Sequence, residues 1–279
     1  MQIIDGRKIR GEILAMLQTR IAALPFAPIF CDILVGNNPA SLQYVQMKER
    51  TAQNIGIKTH PAIFPESITT EELISEIKKK SEIAHMAGLI VQLPLPEHID
   101  TKRVLDSVPV SIDVDAISSI ASEKFYANNS VFIFPTASAV MKVLESLNLN
   151  LSEKKVAMVG QGMLVGKPVA HLLRNAGVSV LVIDNSTQNK NEILKSVDII
   201  ISATGEANLI KGDMLKNGVV LIDAGTSESN GGISGDVDRE SVENIASVLS
   251  PVPGGVGPVT VAMLMQNVVI SAEHMAQKS

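Results

Sequence analysis

From Lys155 to Val159 a short, mostly apolar run leads straight into Gly160-Gln161-Gly162-Met163-Leu164-Val165-Gly166, and a helical pattern follows through Leu173. Glycines at a strand-to-helix turn let the backbone approach a pyrophosphate, which the helix N-terminus meets with unpaired N–H groups and the positive end of its dipole. The third glycine sits one place later than in the commonest dinucleotide-binding spacing, and a ligand-free tight turn would use the same residues. Asp184 adds the second half of the pattern. It ends the next strand, 24 positions after Gly160, close to the ~20 expected of a ribose-binding acid. A carboxylate there accepts from both ribose hydroxyls of NAD and repels the extra phosphate of NADP. It can equally begin the turn Asp184-Asn185-Ser186, and Lys190 lies near enough to offer a compensating cation. A P-loop is excluded, because Gly166-Lys167 is followed by Pro168, which has no hydroxyl for magnesium. Ser202-Ala203-Thr204-Gly205 and Asp223-Ala224-Gly225-Thr226 end two later strands in small residues. Ligands of open α/β sheets lie beside such strand ends, so Thr204, Gly205 and Thr226 join Gly160, Gln161, Gly162, Gly166 and Asp184 as candidate cofactor contacts.

The rest of the chain alternates in the same way. Apolar spacing at Ile9, Ile13, Met16, Leu17 and Ile21 predicts a first helix, and Ile29–Val35 reads as a strand. A helix is expected from about Ser41 to Asn54, and a β-leaning run spans Ile57–Phe64. Thr69 with Glu72 forms a capping box that opens a helix to about Met86, before a strand over Gly88–Leu93. The pattern loosens between Lys102 and Pro135. A helix from Thr136 to Leu149 then precedes strands at Lys155–Val159, Val178–Ile183, Asp198–Ser202, Val219–Ile222 and Ala246–Leu249. An amphipathic helix closes the chain past Pro258. This order predicts an α/β protein of two domains built on parallel sheets.

Composition agrees. Of 279 residues, 46% are hydrophobic and 3% aromatic, which gives an aliphatic core suited to parallel strands covered by helices. A net charge of −5 leaves no global basic field for nucleic acid or anionic lipid. The single Cys31 excludes an internal disulfide, and Met1–Arg10 lacks the apolar segment of a signal peptide. Val259–Ile270 is about half a membrane span and carries Thr260, Gln266 and Asn267. A soluble cytoplasmic protein without nucleic-acid or membrane partners is expected.

Tyr44 and Lys48 lie four apart on the expected second helix, hence on one face. A Tyr-x-x-x-Lys pair also marks short-chain dehydrogenases, but there it follows the glycine turn, and here it comes far before it. Val91–Pro96 places Gln92 alone in an apolar, proline-stiffened turn, and Asp113-Val114-Asp115 alternates two carboxylates. His60, His85, His98, His171 and His274 are scattered without paired spacing, so no metal is expected.

These pieces resemble the methylenetetrahydrofolate dehydrogenase/methenyltetrahydrofolate cyclohydrolase (FolD-like) family over nearly the whole chain. The likeness rests on Ile4-Asp5-Gly6, Val35–Ser41 with Tyr44-Val45 and Lys48, Val91–Pro96, Asp113–Asp115, Val165–Pro168, Gly235–Val237 and Pro251–Pro258. It implies a folate-binding catalytic domain (1–137 with 256–279), a Rossmann-type NAD(P)-binding domain (138–255), a cleft between them and a homodimer. It further implies that Lys48 is central to cyclohydrolase chemistry, that Gln92 holds it, that Tyr44 stacks on the aminobenzoate ring and that Asp115 bonds the pterin. Pro253, Gly254 and Gly255 would line the same cleft. The implied activity is oxidation of 5,10-methylenetetrahydrofolate with NADP or NAD, followed by hydrolysis of the methenyl product to 10-formyltetrahydrofolate. Oxidation needs positioning above all, since two nitrogen lone pairs stabilise the cation left behind. Hydrolysis needs proton transfer, and a partly desolvated lysine facing a cationic substrate is suited to it.

Departures from the family pattern cluster near the cofactor and the pterin. Ala116 stands for the usual glycine, and Ile117–Ala121 lacks the usual aromatic and histidine. Phe134-Pro135-Thr136-Ala137 replaces Pro-Cys-Thr-Pro, Gln161-Gly162 replaces Ala or Arg followed by Ser, Gly225-Thr226-Ser227 replaces Gly-Ile-Asn, and Asp184 stands where histidine is typical. Alanine disfavours positive φ, so the loop after Asp115 is expected to differ. Asp184 argues for NAD against a family default of NADP. Two other readings are an enzyme with only cyclohydrolase activity and a degraded cofactor site, and a non-catalytic dinucleotide-binding module.

Overall fold

A computed structural model describes residues 1–229 and 232–278. Its first elements are β1 (Gln2–Ile3), α1 (Gly6–Ala22), β2 (Ile29–Val35), α2 (Pro39–Asn54), β3 (Lys58–Thr59), β4 (Ala62–Phe64), α3 (Thr70–Ser81), β5 (Met86–Val91), α4 (Thr101–Asp106), α5 (Ser119–Tyr126) and α6 (Pro135–Ser146). Then come β6 (Lys155–Val159), α7 (Gly166–Asn175), β7 (Ser179–Ile183), α8 (Lys190–Ser196), β8 (Ile199–Ser202), β9 (Val220–Asp223), β10 (Ser227–Ser229), β11 (Gly232–Ser234), α9 (Arg239–Val242), β12 (Val248–Ser250) and α10 (Val256–Ala276). Packing divides them into two compact units, Glu12–Phe134 with Val261–Ser279, and Met1–Gly11 with Pro135–Thr260. The protein is α/β, with a Rossmann-type sheet in the second of these.

That unit holds a six-stranded sheet in the order β1-β12-β9-β8-β6-β7, every pair parallel. The order reverses at β6, where β7 lies on one side and β8 on the other. This is the switch point beside which open α/β sheets bind ligands. Residues 1–11 differ from the sequence-based boundary, which grouped them with the first domain. Gln2 and Ile3 pair with Val248 and Leu249, and Gly6 N donates to Gly254 O (2.9 Å), so the N-terminus adds an edge strand here. Two residues are too few to show a period of two in sequence.

In the other unit, β2 is the central strand, flanked by β3 and β4 on one side and β5 on the other, all parallel. Cys31, Ile33 and Val35 point into a core shared with Leu73, Ile77, Leu89 and Val104. The intervening Phe30, Asp32 and Leu34 belong to the opposite face, as a strand's period of two requires. The β-leaning run at 57–64 divides into β3 and β4 around Pro61, which has no N–H for the ladder.

Helix starts follow the sequence closely. Asn38 caps α2 by accepting from Ser41 N (3.0 Å), with Pro39 in the first turn. Thr69 and Glu72 close the expected capping box on α3. The far end of α3 falls at Ser81 rather than near Met86. His85 turns left-handed (φ +65°) and Met86 already pairs with Ile29, so the next strand is Met86–Val91 rather than Gly88–Leu93. The loosened segment holds α4 and α5, capped by Asp100 and Ser118 and too short to display an apolar period. Helix α10 runs from Val256, before Pro258, and is apolar nearly all round rather than amphipathic. Among the described residues it is long and apolar enough to cross a membrane, by length and composition, and 67% of its most apolar window is buried. Asn267 Nδ2 on it donates to Val114 O and Ile133 O (both 2.8 Å).

Ala116 adopts φ +59°, so the loop after Asp115 takes the left-handed form that alanine was expected to prevent. Ala116 N donates to Asp113 O (3.0 Å) and Ser118 N to Asp113 Oδ2 (2.9 Å), and these bonds hold the turn against its steric cost. Left-handed alanine costs roughly 1–2 kcal/mol, and the extra freedom of an unfolded glycine offsets about 0.4–1. Ala116→Gly is therefore expected to raise the unfolding free energy by about 0.5–1 kcal/mol, measured by urea denaturation.

Candidate active site

The chemistry of the first unit gathers around one amine. Strand β2 brings Asp32 to the face opposite the Leu73 and Leu89 core. Helix α2 presents Tyr44 and Lys48 one turn apart. Gln92 follows the last residue of β5, and its N donates to Ile33 O (2.8 Å), which extends the ladder by one step. Lys48 is 2% exposed. Its Nζ donates to Gln92 Oε1 (2.8 Å), lies 2.6 Å from Asp32 Oδ2 and sits 4.6 Å from the centre of the Tyr44 ring. Gln92 Nε2 donates to Leu93 O (3.1 Å), so the amide turns its oxygen to the lysine. The Leu93-Pro94 bond that follows is cis.

Asp32 is the functional residue that sequence reasoning missed. Its side chain is fully buried, and Oδ2 lies 2.6 Å from Lys48 Nζ in a buried ion pair, while no other donor among the described residues reaches either carboxylate oxygen. The signal was present: Asp32 is the lone charge in the apolar run Ile29–Val35. Burial pushes its pKa up, against the pull of Lys48.

Asp115 belongs to the same electrostatic neighbourhood. Burial raises its pKa to about 7, with Lys48 opposing and Asp113 and Asp32 adding to the shift. Tyr44 keeps 37% of its surface exposed. The desolvation of its phenol, with Asp115 and Asp32 nearby, moves its pKa upward. Asp113 plays a different part. It is buried, and its carboxylate accepts from the backbone of the turn, so it shapes the loop that carries Asp115. The structure thus brings Lys48, Gln92 and Tyr44 into contact, with Asp115 in their electrostatic neighbourhood.

The cofactor candidates lie in the second unit, at the switch point. Gly160 (φ +91°) donates its N–H to Ile183 O (2.8 Å), and a side chain there would strike the backbone of Ala203 after β8. A side chain at Gly166, where α7 begins, would strike Gly160 O. Gly162 faces open space. These positions form a close-packed turn leading into a helix start without a side-chain cap, where a pyrophosphate can approach the backbone, so the residues fit a nicotinamide dinucleotide. Gln161 does not reach outward, because its Nε2 donates to Gly160 O (2.8 Å).

Two buried aspartates missed as site residues hold the neighbouring loops. Asp236 Oδ2 accepts from Ser202 Oγ and Thr204 N (both 2.7 Å), and Oδ1 from Gly205 N (3.0 Å). Asp223 accepts from the backbone N–H groups of Gly225, Asp236 and Val237. Side chains at Gly225 and Gly235 would overlap these carboxylates. Thr204 and Gly205 are thereby fixed in place, and Thr226 follows Gly225 on the exposed side.

Asp184 realises its turn reading. Its Oδ1 accepts from Ser186 N (2.9 Å), Ser186 Oγ (2.6 Å) and Thr187 Oγ1 (3.1 Å), and the Ser186 bonds hold its pKa below the usual carboxylate range. Pro253, Gly254 and Gly255 also belong to this unit. Gly254 has φ +105°, and a side chain at Gly6 would overlap Gly255 O.

Residues 4–115 match the tetrahydrofolate dehydrogenase/cyclohydrolase catalytic domain, and residues 135–276 match the NAD(P)-binding domain of the same family. The chain belongs to that family. It is 40% identical to the bifunctional protein FolD of Nautilia profundicola, over 100% of this chain and 99% of the relative. The structure of the bifunctional FolD methylenetetrahydrofolate dehydrogenase/cyclohydrolase from Campylobacter jejuni is similar at TM-score 0.94 and 36% identity, covering 99% of each chain. The Trypanosoma brucei enzyme, solved with NADP and an inhibitor, has TM-score 0.92 and 31% identity, covering 98% of this chain and 97% of that one. Membership accounts for the lysine set and the glycine turn together, since each lies in its own matched domain.

Asp115 supplies a test of this electrostatic arrangement. A carboxyl whose native pKa is raised adds stability that is complete below its unfolded pKa and lost as pH climbs through the native one. For Asp115 the window runs from about 4 to about 7. Between pH 5 and pH 8, the unfolding free energy of Asp115→Asn relative to the unsubstituted protein is expected to move in the variant's favour. The shift should be on the order of 2 kcal/mol after solvent screening, read from urea denaturation at both pH values.

Proposed function

We infer that this chain oxidises 5,10-methylenetetrahydrofolate to the methenyl cation with NAD(P)+ and hydrolyses that cation to 10-formyltetrahydrofolate. The bifunctional activity is that of the family to which it belongs. The observation that carries it is the buried Lys48 amine, held by Gln92 and Asp32 under the Tyr44 ring, on the same chain as an intact glycine turn. A nicotinamide dinucleotide, when bound, supplies the hydride acceptor. The chain's own part in oxidation is placement: Gly160, Gly162 and Gly166 admit the pyrophosphate, and Asp236 fixes Thr204 and Gly205 beside it.

In hydrolysis, water attacks the methenyl carbon and must lose a proton, and a ring nitrogen must gain one. Lys48 is the group able to move protons there. Gln92 aims it, and the Tyr44 ring face restrains it on a third side while remaining open to stack on a flat ligand. Asp115 has a pKa near 7, so it can present either a donor or an acceptor to the pterin edge. Close-packed turn geometry at Gly160 and Gly166 weighs against a degraded cofactor site, and the lysine cluster weighs against a non-catalytic module.

Lys48→Met is expected to lower methenyl hydrolysis by about 10² or more while the folate still binds. Loss of methenyl absorbance measures the rate, and normal turnover by the folded variant would refute the assignment.

For the cofactor, the Asp184 carboxylate favours NAD. It is ionised, stands at the end of β7 and keeps one oxygen outside its own turn. Initial dehydrogenase rates are expected to favour NAD+ over NADP+, and Asp184→Ser to shift the ratio of kcat/KM values toward NADP+ by roughly tenfold. A large NADP+ advantage in the unsubstituted enzyme would discard this preference.

A further inference from the structure

Among the described residues four aspartates are deeply buried: Asp32, Asp113, Asp223 and Asp236. Three of them accept backbone N–H groups and serve as anchors for turns. Asp32 accepts none. Its Oδ2 lies 2.6 Å from Lys48 Nζ, and its Oδ1 has no donor among the described residues. A carboxylate that caps no turn and aligns no backbone, yet stands against the reactive amine inside a dry strand, is poorly explained as scaffold.

We propose that Asp32 is the proton store behind Lys48 in the hydrolytic step. Resting on the hydrolase reading above, it acts on the folate only through the lysine and is a positioning residue in that sense. The cycle starts from ammonium and carboxylate. One N–H bond of Lys48 breaks and an O–H bond forms on Asp32 Oδ2, leaving a neutral amine and a carboxylic acid. Water then adds to the methenyl carbon. Its proton passes to the amine, and the electron pair of the C=N bond returns to the ring nitrogen, giving a neutral adduct. The Lys48 ammonium gives a proton to the ring nitrogen, the C–N bond opens to the formyl product, and the adduct's hydroxyl proton returns to the amine. The pair releases one proton to solvent, which balances methenyl cation plus water against formyl product plus H+.

The surroundings favour this transfer. Burial penalises a separated charge pair far more than two neutral groups, and no second donor holds Asp32 ionised. The titratable groups whose charge acts on it are Lys48, Tyr44 and Glu49 from α2 and Asp115 from the turn before α5, with Cys31 next to it in β2 but turned to the other face. Glu49 Oε1 is likewise buried without a partner, so negative charge crowds the site and a proton on Asp32 relieves it.

The test follows methenyl-tetrahydrofolate hydrolysis from pH 5 to pH 9 in the full-length enzyme and in Asp32→Asn, Asp32→Val, Lys48→Met and Asp32→Asn/Lys48→Met. Circular dichroism checks folding. In a folded Asp32 variant, kcat is expected to fall about 10²-fold, KM to change less than threefold, and the limb of the pH profile set by the pair to disappear. In the Lys48→Met background, Asp32→Asn should cause no further loss. Unchanged kcat and pH profile in a folded Asp32 variant overturn the proposal while leaving the Lys48 reading intact. Normal hydrolysis by Lys48→Met overturns both. Failure of both Asp32 variants to fold makes the carboxylate a structural partner and also overturns it.

Discussion

A charged amine out of contact with water is the constraint from which the catalytic unit follows. Moving an ammonium into a protein interior costs several kcal/mol after relaxation, so each face of Lys48 must meet a compensating group. The carboxylate comes from β2, the amide oxygen from the end of β5 and the aromatic face from α2 itself. The carboxylate and the amide oxygen cannot be supplied by neighbours in sequence. The parallel pairing of β2 with β5 and the placement of α2 over one face of β2 are therefore the conditions under which this lysine can be buried at all.

Aspartate serves two purposes in the molecule, separated by what it accepts. Asp113, Asp223 and Asp236 take backbone N–H groups and turn irregular segments into fixed ones. That is how a left-handed alanine at position 116 is tolerated, and how the loops after β8 and β9 keep small residues beside the glycine turn. Burial raises the pKa of Asp223 to about 6, and its backbone bonds work against that shift. Asp32 stands against the lysine, and Asp115 acts electrostatically on the lysine and the phenol. Geometry, rather than residue type, separates the two groups.

Reading from sequence succeeded where the signal was local. The Ile29–Val35 and Lys155–Val159 strands, the Thr69–Glu72 box and the Gly160–Gly166 turn each depend on residues within a few positions of one another. It failed where a partner lay far away. The end of α3 was decided by Met86 pairing with Ile29, and the edge strand at Gln2–Ile3 by Val248 and Leu249. Ala116 reversed an expectation because Asp113 lends the turn a hydrogen bond that propensity does not count. Asp184 carried two readings, and the turn beside it took up one oxygen of its carboxylate.

Sequence by itself determined the α/β alternation, the cofactor turn and the residue types that the chemistry requires, because periodicity, glycine spacing and short motifs are written into adjacent positions. Only the tertiary structure decided which carboxylate stands behind Lys48. Asp32 and Lys48 are adjacent in space because a strand's two-residue period and a helix's 3.6-residue period happen to face each other there. No stretch of sequence records that meeting.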